Sequence, residues 1–104
     1  FRIAATGGGQ FGVQFGSNYI YHTPTQSTWV HLAYVYENRN AKLYINGSLL
    51  STTNNAANES LSYCNPFTIG AKAGPAFDKW QGKIDDVHVY NRILNQDEIT
   101  FLAK

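Results

Sequence analysis

Two adjacent carboxylates, Asp85 and Asp86, are the acids of this chain whose placement points most directly to chemistry. They lie in an alternating apolar and polar segment, 83–90, which we predict to be the last long strand. Because neighbouring side chains of a strand point to opposite faces, we expect one of the two carboxylates to face the protein interior or its rim. A bare carboxylate is costly there, so it must accept hydrogen bonds or bind a cation.

The acids are not arranged for glycoside hydrolysis, which needs two carboxylates about 5–10 Å apart. Asp85 and Asp86 diverge, and the three glutamates fall in a hairpin loop, a polar loop and a helix cap: Glu37, Glu59 and Glu98. No Ser/His/Asp order, phosphate-binding loop or Cys/His cluster is present. We therefore predict that the chain has no catalytic site.

The histidines and the single cysteine also favour structural roles. His22, His31 and His88 are too scattered for a metal site, and we predict that His31 is a hydrogen-bonded core residue. Cys64 has no activating base nearby and is expected to be a small buried or half-buried residue.

Loop residues are better candidates for contacts with a ligand. Exposed tyrosine, amide and charged side chains supply the stacking and hydrogen bonding that carbohydrate sites need, although a solvated loop would have the same composition. The predicted ligand-binding residues are Tyr36, Asn38, Arg39 and Asn40 on one hairpin, and Asp78 and Lys79 near Trp80. We expect Trp29 and Trp80 themselves to pack in the core.

Short strands separated by polar turns must position these residues. The apolar and period-two patterns predict strands at 1–5, 11–15, 19–21, 28–36, 41–45, 48–51, 66–70 and 83–90. Residues 52–60 and 71–78 are predicted loops. Asn46-Gly47 is typical of a two-residue type I′ hairpin turn, because both residues tolerate positive φ.

One helix is predicted at the end of the chain. Asn95 fits an N-cap, and Glu98 three residues later completes a capping box. Leu94 and Ile99 occupy the hydrophobic-staple positions, and Ile99, Leu102 and Ala103 form one face that we expect to pack on a sheet.

Composition excludes several classes of function. The 104 residues carry a net charge of +1, with eight scattered basic residues and no stripe that could neutralise phosphates, so nucleic acid is not an expected partner. The chain has no apolar run of about 18 residues, which a membrane-spanning helix would need. The chain begins on Phe1 inside a predicted strand, and we expect it to be a processed or excised piece of a longer protein.

Five segments resemble, in order, the laminin-G-like domains of the concanavalin A-like lectin/glucanase superfamily. They are Trp-Val-His-Leu-Ala at 29–33, Lys-Leu-Tyr-Ile-Asn-Gly at 42–47, Pro-Phe-Thr-Ile-Gly at 66–70, Gly-Lys-Ile-Asp-Asp-Val at 82–87, and Asn-Arg-Ile-Leu at 91–94 followed by Glu-Ile at 98–99. The resemblance covers 29–102, and residues 1–28 match only as plausible strands.

The resemblance implies one all-β domain, 1–104, with the antiparallel β-sandwich of a concanavalin A-like jelly roll, truncated at its N-terminus and closed by a short C-terminal helix. It implies a non-catalytic recognition module of a secreted or cell-surface protein, most often binding carbohydrate or mediating adhesion. The alternative is a structural or protein–protein interaction domain without a small ligand. A sandwich short of strands exposes sheet edges, so we also hold homo-association as a hypothesis.

The same resemblance places a structural calcium at Asp85, with backbone carbonyls as further ligands. Hard oxygen ligands suit calcium. The other interpretation, that the Asp85 carboxylate accepts hydrogen bonds from backbone amides, stays open at this point.

Overall fold

A computed structural model describes residues 2–5, 10–15, 18–23, 27–54, 68–70 and 80–104. These residues form six strands and one helix: β1 (Arg2–Ala5), β2 (Phe11–Phe15), β3 (Asn18–His22), β4 (Leu32–Glu37), β5 (Asn40–Ile45), β6 (Ser48–Thr53) and α1 (Gln96–Leu102). The strands make two three-stranded antiparallel sheets, with the orders β1-β2-β3 and β4-β5-β6. The predicted antiparallel β-sandwich with a C-terminal helix is confirmed.

The first sheet is a meander of consecutive strands. Ile3 of β1 lies opposite Val13 of β2, and Val13 lies opposite Ile20 of β3. The predicted hairpin between the first two strands is therefore confirmed, while the predicted glycine turn at 7–9 lies outside the described residues.

The second sheet is held by two tight turns. Asn46 and Gly47 have φ angles of 49° and 83° between the paired residues Ile45 and Ser48. Asn38 and Arg39 join β4 to β5 in the same way, with φ angles of 48° and 65°. Two successive positive φ angles are the mark of the type I′ turn, whose twist matches that of the flanking strands.

The two sheets pack face to face through a small core. Val13 of the first sheet and Ala41 and Leu43 of the second have no exposed surface. Tyr34 lies beside Leu43 across the β4–β5 ladder and packs on the same cluster. The predicted inward orientation of Leu43 and Ile45 agrees with their burial, and Trp80 packs on the cluster as expected for a core aromatic.

Trp29 differs from its prediction. Its side chain is 65% exposed, and strand β4 begins at Leu32 rather than at residue 28. The segment before β4 is tied to the second hairpin instead: the His31 N–H donates to Asn46 Oδ1 at 2.9 Å, and the Asn46 N–H donates to the His31 carbonyl at 2.9 Å. The Asn46 side chain thus bonds to the backbone at His31, where a neighbouring strand would otherwise do so. Trp29 precedes the start of β4 and is exposed.

The segment 83–90 also differs from its prediction. Within the described part of the chain it belongs to no strand, and all eight residues are exposed. Asp86 has a φ of 49°, which interrupts the extended backbone. A period-two pattern favours a strand only where a neighbour supplies hydrogen bonds, and among the described residues no strand is paired with this segment.

Helix α1 packs against the turn between β5 and β6. Gln96 Nε2 donates to the Gly47 carbonyl at 2.6 Å, and a Cβ built on Gly47 would lie 3.3 Å from Thr100 Cα. Ile99 on this helix is fully buried, and Leu102 and Ala103 are half-buried, as predicted for one packed face. The described residues include no helix with the length and apolar character needed to span a membrane.

Candidate functional site

A concave surface lies beside α1. It is open to solvent, encloses about 370 Å³, and is lined by residues of the helix and of the segment that leads into it: Tyr90, Arg92, Leu94, Asp97, Glu98, Phe101 and Leu102. We call this surface the helix groove. Phe101 is 73% exposed and Tyr90 is 43% exposed, so two aromatic side chains are available to a ligand.

The capping of α1 organises the polar side of the helix groove. Asn95 Oδ1 accepts the Glu98 N–H at 2.9 Å, and the Asn95 N–H donates to Glu98 Oε2 at 2.9 Å. This reciprocal pair is the predicted capping box, and it is confirmed. It fixes the Glu98 carboxylate at the start of the helix.

Arg92 donates hydrogen bonds to the same carboxylate from both terminal nitrogens of its guanidinium. Its Nη1 lies 3.0 Å from Glu98 Oε2, and its Nη2 lies 2.9 Å from Glu98 Oε1. These hydrogen bonds, followed by the one from the Asn95 backbone, lower the pKa of the Glu98 carboxyl. The hydrogen bond to Glu98 in turn raises the pKa of the Arg92 guanidinium. Both charges are therefore present at neutral pH, in a planar, oriented pair.

The residues predicted to bind ligand on the β4–β5 hairpin differ in how exposed their side chains are. Asn38, Arg39 and Asn40 are exposed at the tip of the hairpin. Tyr36 is half-buried in β4 and packs on the core cluster. Asp78 and Lys79 lie outside the described residues. The hairpin contribution to binding stays a prediction.

Asp85 and Asp86 are both exposed, so neither carboxylate faces the interior. Asp85 Oδ1 accepts the N–H of Asp86 at 2.8 Å, which is the backbone hydrogen bond that was one of the two interpretations. Among the described residues, no three His, Cys, Asp or Glu side chains come together as metal ligands. Asp85 by itself does not fit a calcium shell of six to eight oxygens, and the calcium site stays a prediction.

His31 is partly buried, and its ring does not meet the expectation of a hydrogen-bonded core histidine. Nδ1 is buried and has no hydrogen-bond partner in the described structure. Burial lowers the pKa of the imidazole. The hydrogen bonds of this residue are made by its backbone, to Asn46.

Sequence reasoning missed the helix groove. The sequence pattern predicts Tyr90 in a strand and gives Phe101 no role, because a local pattern does not show that residues of two different elements lie together. The signal was present in the helix pattern, where Phe101 lies off the face formed by Ile99, Leu102 and Ala103. Exposed apolar side chains mark an interaction site where they lie together, as Phe101 and Tyr90 do in the helix groove.

Comparison with known proteins identifies the family. A family model described as the concanavalin A-like lectin/glucanases superfamily matches residues 1–100. The chain therefore belongs to this superfamily, as the five segments indicated. No curated protein matches the chain.

A solved structure is also similar. It is the crystal structure of residues 221–444 of an S-layer domain-containing protein from Clostridium thermocellum, with 25% sequence identity and a TM-score of 0.69. The similarity covers 91% of this chain and 51% of the other, so this chain spans about half the length of the solved structure.

Proposed function

We propose that the chain is a non-catalytic recognition module of an extracellular protein, and that it binds carbohydrate in the helix groove. The observation that carries this proposal is the pairing of exposed aromatic rings, Tyr90 and Phe101, with charged groups in one concavity. Membership of a superfamily named for lectins and glucanases supports a carbohydrate ligand. The similarity to an S-layer domain-containing protein supports an extracellular location.

The helix groove is an open surface rather than an enclosed cavity. Its volume is about 370 Å³, so a ligand would contact it on one side. The apolar faces of a sugar ring can pack on Phe101 and Tyr90, while its hydroxyls can donate to the Asp97 carboxylate. Because the groove is open, we expect it to bind one or two residues of a longer glycan rather than enclose a free sugar.

The charges of the helix groove support binding rather than hydrolysis. A glycosidase needs one protonated acid and one carboxylate on opposite sides of the scissile bond. Glu98 is held ionised by Arg92, and its lowered pKa makes it a poor proton donor at neutral pH. Asp97 is its immediate neighbour on the helix, and adjacent helical residues do not face each other.

The test is a glycan array in calcium-containing buffer, followed by calorimetry on any sugar that binds. We expect Phe101→Ala to weaken binding about fivefold, the loss of roughly 1 kcal/mol of aromatic stacking. Asp97→Asn should also weaken binding, because it replaces one of the two acceptor oxygens by an NH2 donor and removes the negative charge. Tyr21→Ala is the matched control, because Tyr21 is an exposed aromatic of the first sheet outside the groove.

Two outcomes would contradict this assignment. A folded protein that binds no glycan would remove the carbohydrate ligand. Binding that survives Phe101→Ala but falls with Arg39→Ala would move the site to the β4–β5 hairpin.

Repeating the calorimetry with a chelator tests the calcium prediction at Asp85, since affinity and melting temperature should then fall if calcium is bound.

A second candidate function is an assembly role without a small ligand. One observation favours it: Val87 and Val89 are exposed on a segment that belongs to no described sheet. Such a segment offers an interface to another chain.

A further inference from the structure

The described wall of the helix groove carries more acids than bases. Its lining includes the carboxylates of Asp97 and Glu98 and one guanidinium, that of Arg92. The other described lining residues are uncharged, so the wall carries a net negative charge. A binding surface and its ligand carry complementary charges, and a groove of this sign favours a ligand with a positive group.

The positive charge of Arg92 is neutralised within the groove. Its Nη1 donates to Glu98 Oε2 at 3.0 Å and to the Ile93 carbonyl at 3.3 Å, and its Nη2 donates to Glu98 Oε1 at 2.9 Å. Glu98 is held in place from its other side, because Oε2 also accepts the Asn95 N–H at 2.9 Å. An acidic sugar would have to compete with this fixed carboxylate for the guanidinium, so the groove is a poor site for an acidic ligand.

Asp97 is the acid of the groove that Arg92 does not neutralise. Among the described residues, the ion pair of the groove joins Arg92 to Glu98, and Asp97 has no part in it. Asp97 and Phe101 are four residues apart on α1, so they are neighbours on one side of the helix, and both are exposed and line the groove. A carboxylate beside an exposed aromatic ring attracts an ammonium group, through opposite charge and through the cation–π interaction.

We propose that the helix groove binds an amino sugar, with its amine free and protonated, in preference to a neutral or an acidic sugar. This inference rests on the proposed carbohydrate function and names the class of sugar. The ammonium group contacts the Asp97 carboxylate and the ring of Phe101, while the apolar face of the sugar packs on Tyr90. Both contacts of the ammonium group are exposed to solvent, so we expect a preference of about fivefold.

Calorimetry at neutral pH with three identically linked tetrasaccharides, of glucosamine, glucose and glucuronic acid, tests this inference. The glucosamine and glucose chains differ in one substituent on each ring, an amine in place of a hydroxyl, so their difference in affinity measures the effect of the positive charge. We expect the glucosamine chain to bind about fivefold more tightly than the glucose chain, and the glucuronic acid chain to bind most weakly. Added salt should reduce the preference for glucosamine.

Two variants locate the origin of the preference. Asp97→Asn removes the negative charge from the groove and should abolish the preference for the glucosamine chain over the glucose chain. Asp86→Asn is the matched control, because it makes the same change of charge at an exposed residue that does not line the groove. Asparagine also tolerates the φ of 49° at position 86. Circular dichroism checks that both variants are folded.

Equal affinity for the glucosamine and glucose chains, with both weakened by Phe101→Ala, would overturn this inference and leave the groove as a carbohydrate site. Tightest binding of the glucuronic acid chain would also overturn it. So would a preference for glucosamine that persists in Asp97→Asn or is lost in Asp86→Asn. A protein that binds none of the three chains would contradict the inference as well, and a blank glycan array in addition would contradict the proposed function itself.

Discussion

Position 47 imposes two requirements that glycine meets and a residue with a Cβ does not. Its φ is 83°, in the left-handed region, and a Cβ there would lie 3.3 Å from Thr100 Cα and 3.4 Å from Ala103 Cβ. The first requirement comes from the turn and the second from the helix packed on it. The turn was predicted from Asn46-Gly47, whereas the helix contact is a property of the tertiary structure.

Replacing Gly47 by alanine separates these two costs. We expect Gly47→Ala to destabilise the protein by about 2 kcal/mol or more, because the left-handed conformation costs about 1–2 kcal/mol and helix α1 must also move. Gly70→Ala is the control, since Gly70 has a φ of 81° but a Cβ there would only touch Ile84 Cδ1 at 3.9 Å. Urea unfolding measures both. Equal losses would show that the helix contact has no energetic effect.

His31 should make stability depend on pH. Burial lowers the pKa of its imidazole in the folded state, so the folded protein binds a proton less readily than the unfolded chain does. The folded state should therefore lose stability as pH falls below about 6.5, the ordinary value for histidine. Urea unfolding between pH 8 and pH 5.5 measures this. In His31→Gln, which does not titrate, we expect the slope over this range to be smaller, and an unchanged slope would assign it to another group.

At the scale of the element, α1 depends on its first turn. Seven residues are too few for a helix to be stable in isolation, so its capping box and its packing must hold it. The box was predicted from the spacing of Asn95 and Glu98. The two hydrogen bonds from Arg92 to Glu98 were not predicted, because they depend on the path of the chain that leads into the helix.

Substitutions at the N-cap test this account of α1. We expect Asn95→Ala to cost about 1 kcal/mol, because the Glu98 N–H loses its acceptor. Asn95→Asp keeps an acceptor at the same position and should be close to neutral. Thermal melts of the two variants decide the matter, and the account fails if both are equally destabilised.

At the scale of the whole molecule, stability depends on a few side chains between the sheets. Leu43 has no exposed surface and lies with Val13 and Ala41 where the two sheets meet. We expect Leu43→Ala to cost about 2–5 kcal/mol, through lost burial and the cavity that remains. Leu49→Ala, at a leucine of β6 that is 49% exposed, should cost far less. Denaturant unfolding compares them, and similar losses would argue against a shared core between the sheets.

The helix groove and the 83–90 segment also belong to this scale. The groove brings Tyr90 beside Phe101, eleven positions apart, across the turn that leads into α1. Among the described residues, the segment belongs to no strand and all eight of its side chains are exposed. The proposed carbohydrate binding therefore rests on an arrangement that appears only when the elements are placed together.

The sequence by itself determined the features whose causes lie within a few residues. The positive φ angles at Asn46-Gly47 and the capping box of Asn95 and Glu98 follow from the chemistry of neighbouring groups. The order of five such segments also indicated the superfamily. Only the tertiary structure decided which apolar residues are covered: Trp29 is exposed, Trp80 is packed, and residues 83–90 have no ladder. Burial and strand pairing depend on partners that are distant in the chain, and a local pattern does not specify whether such a partner is in place.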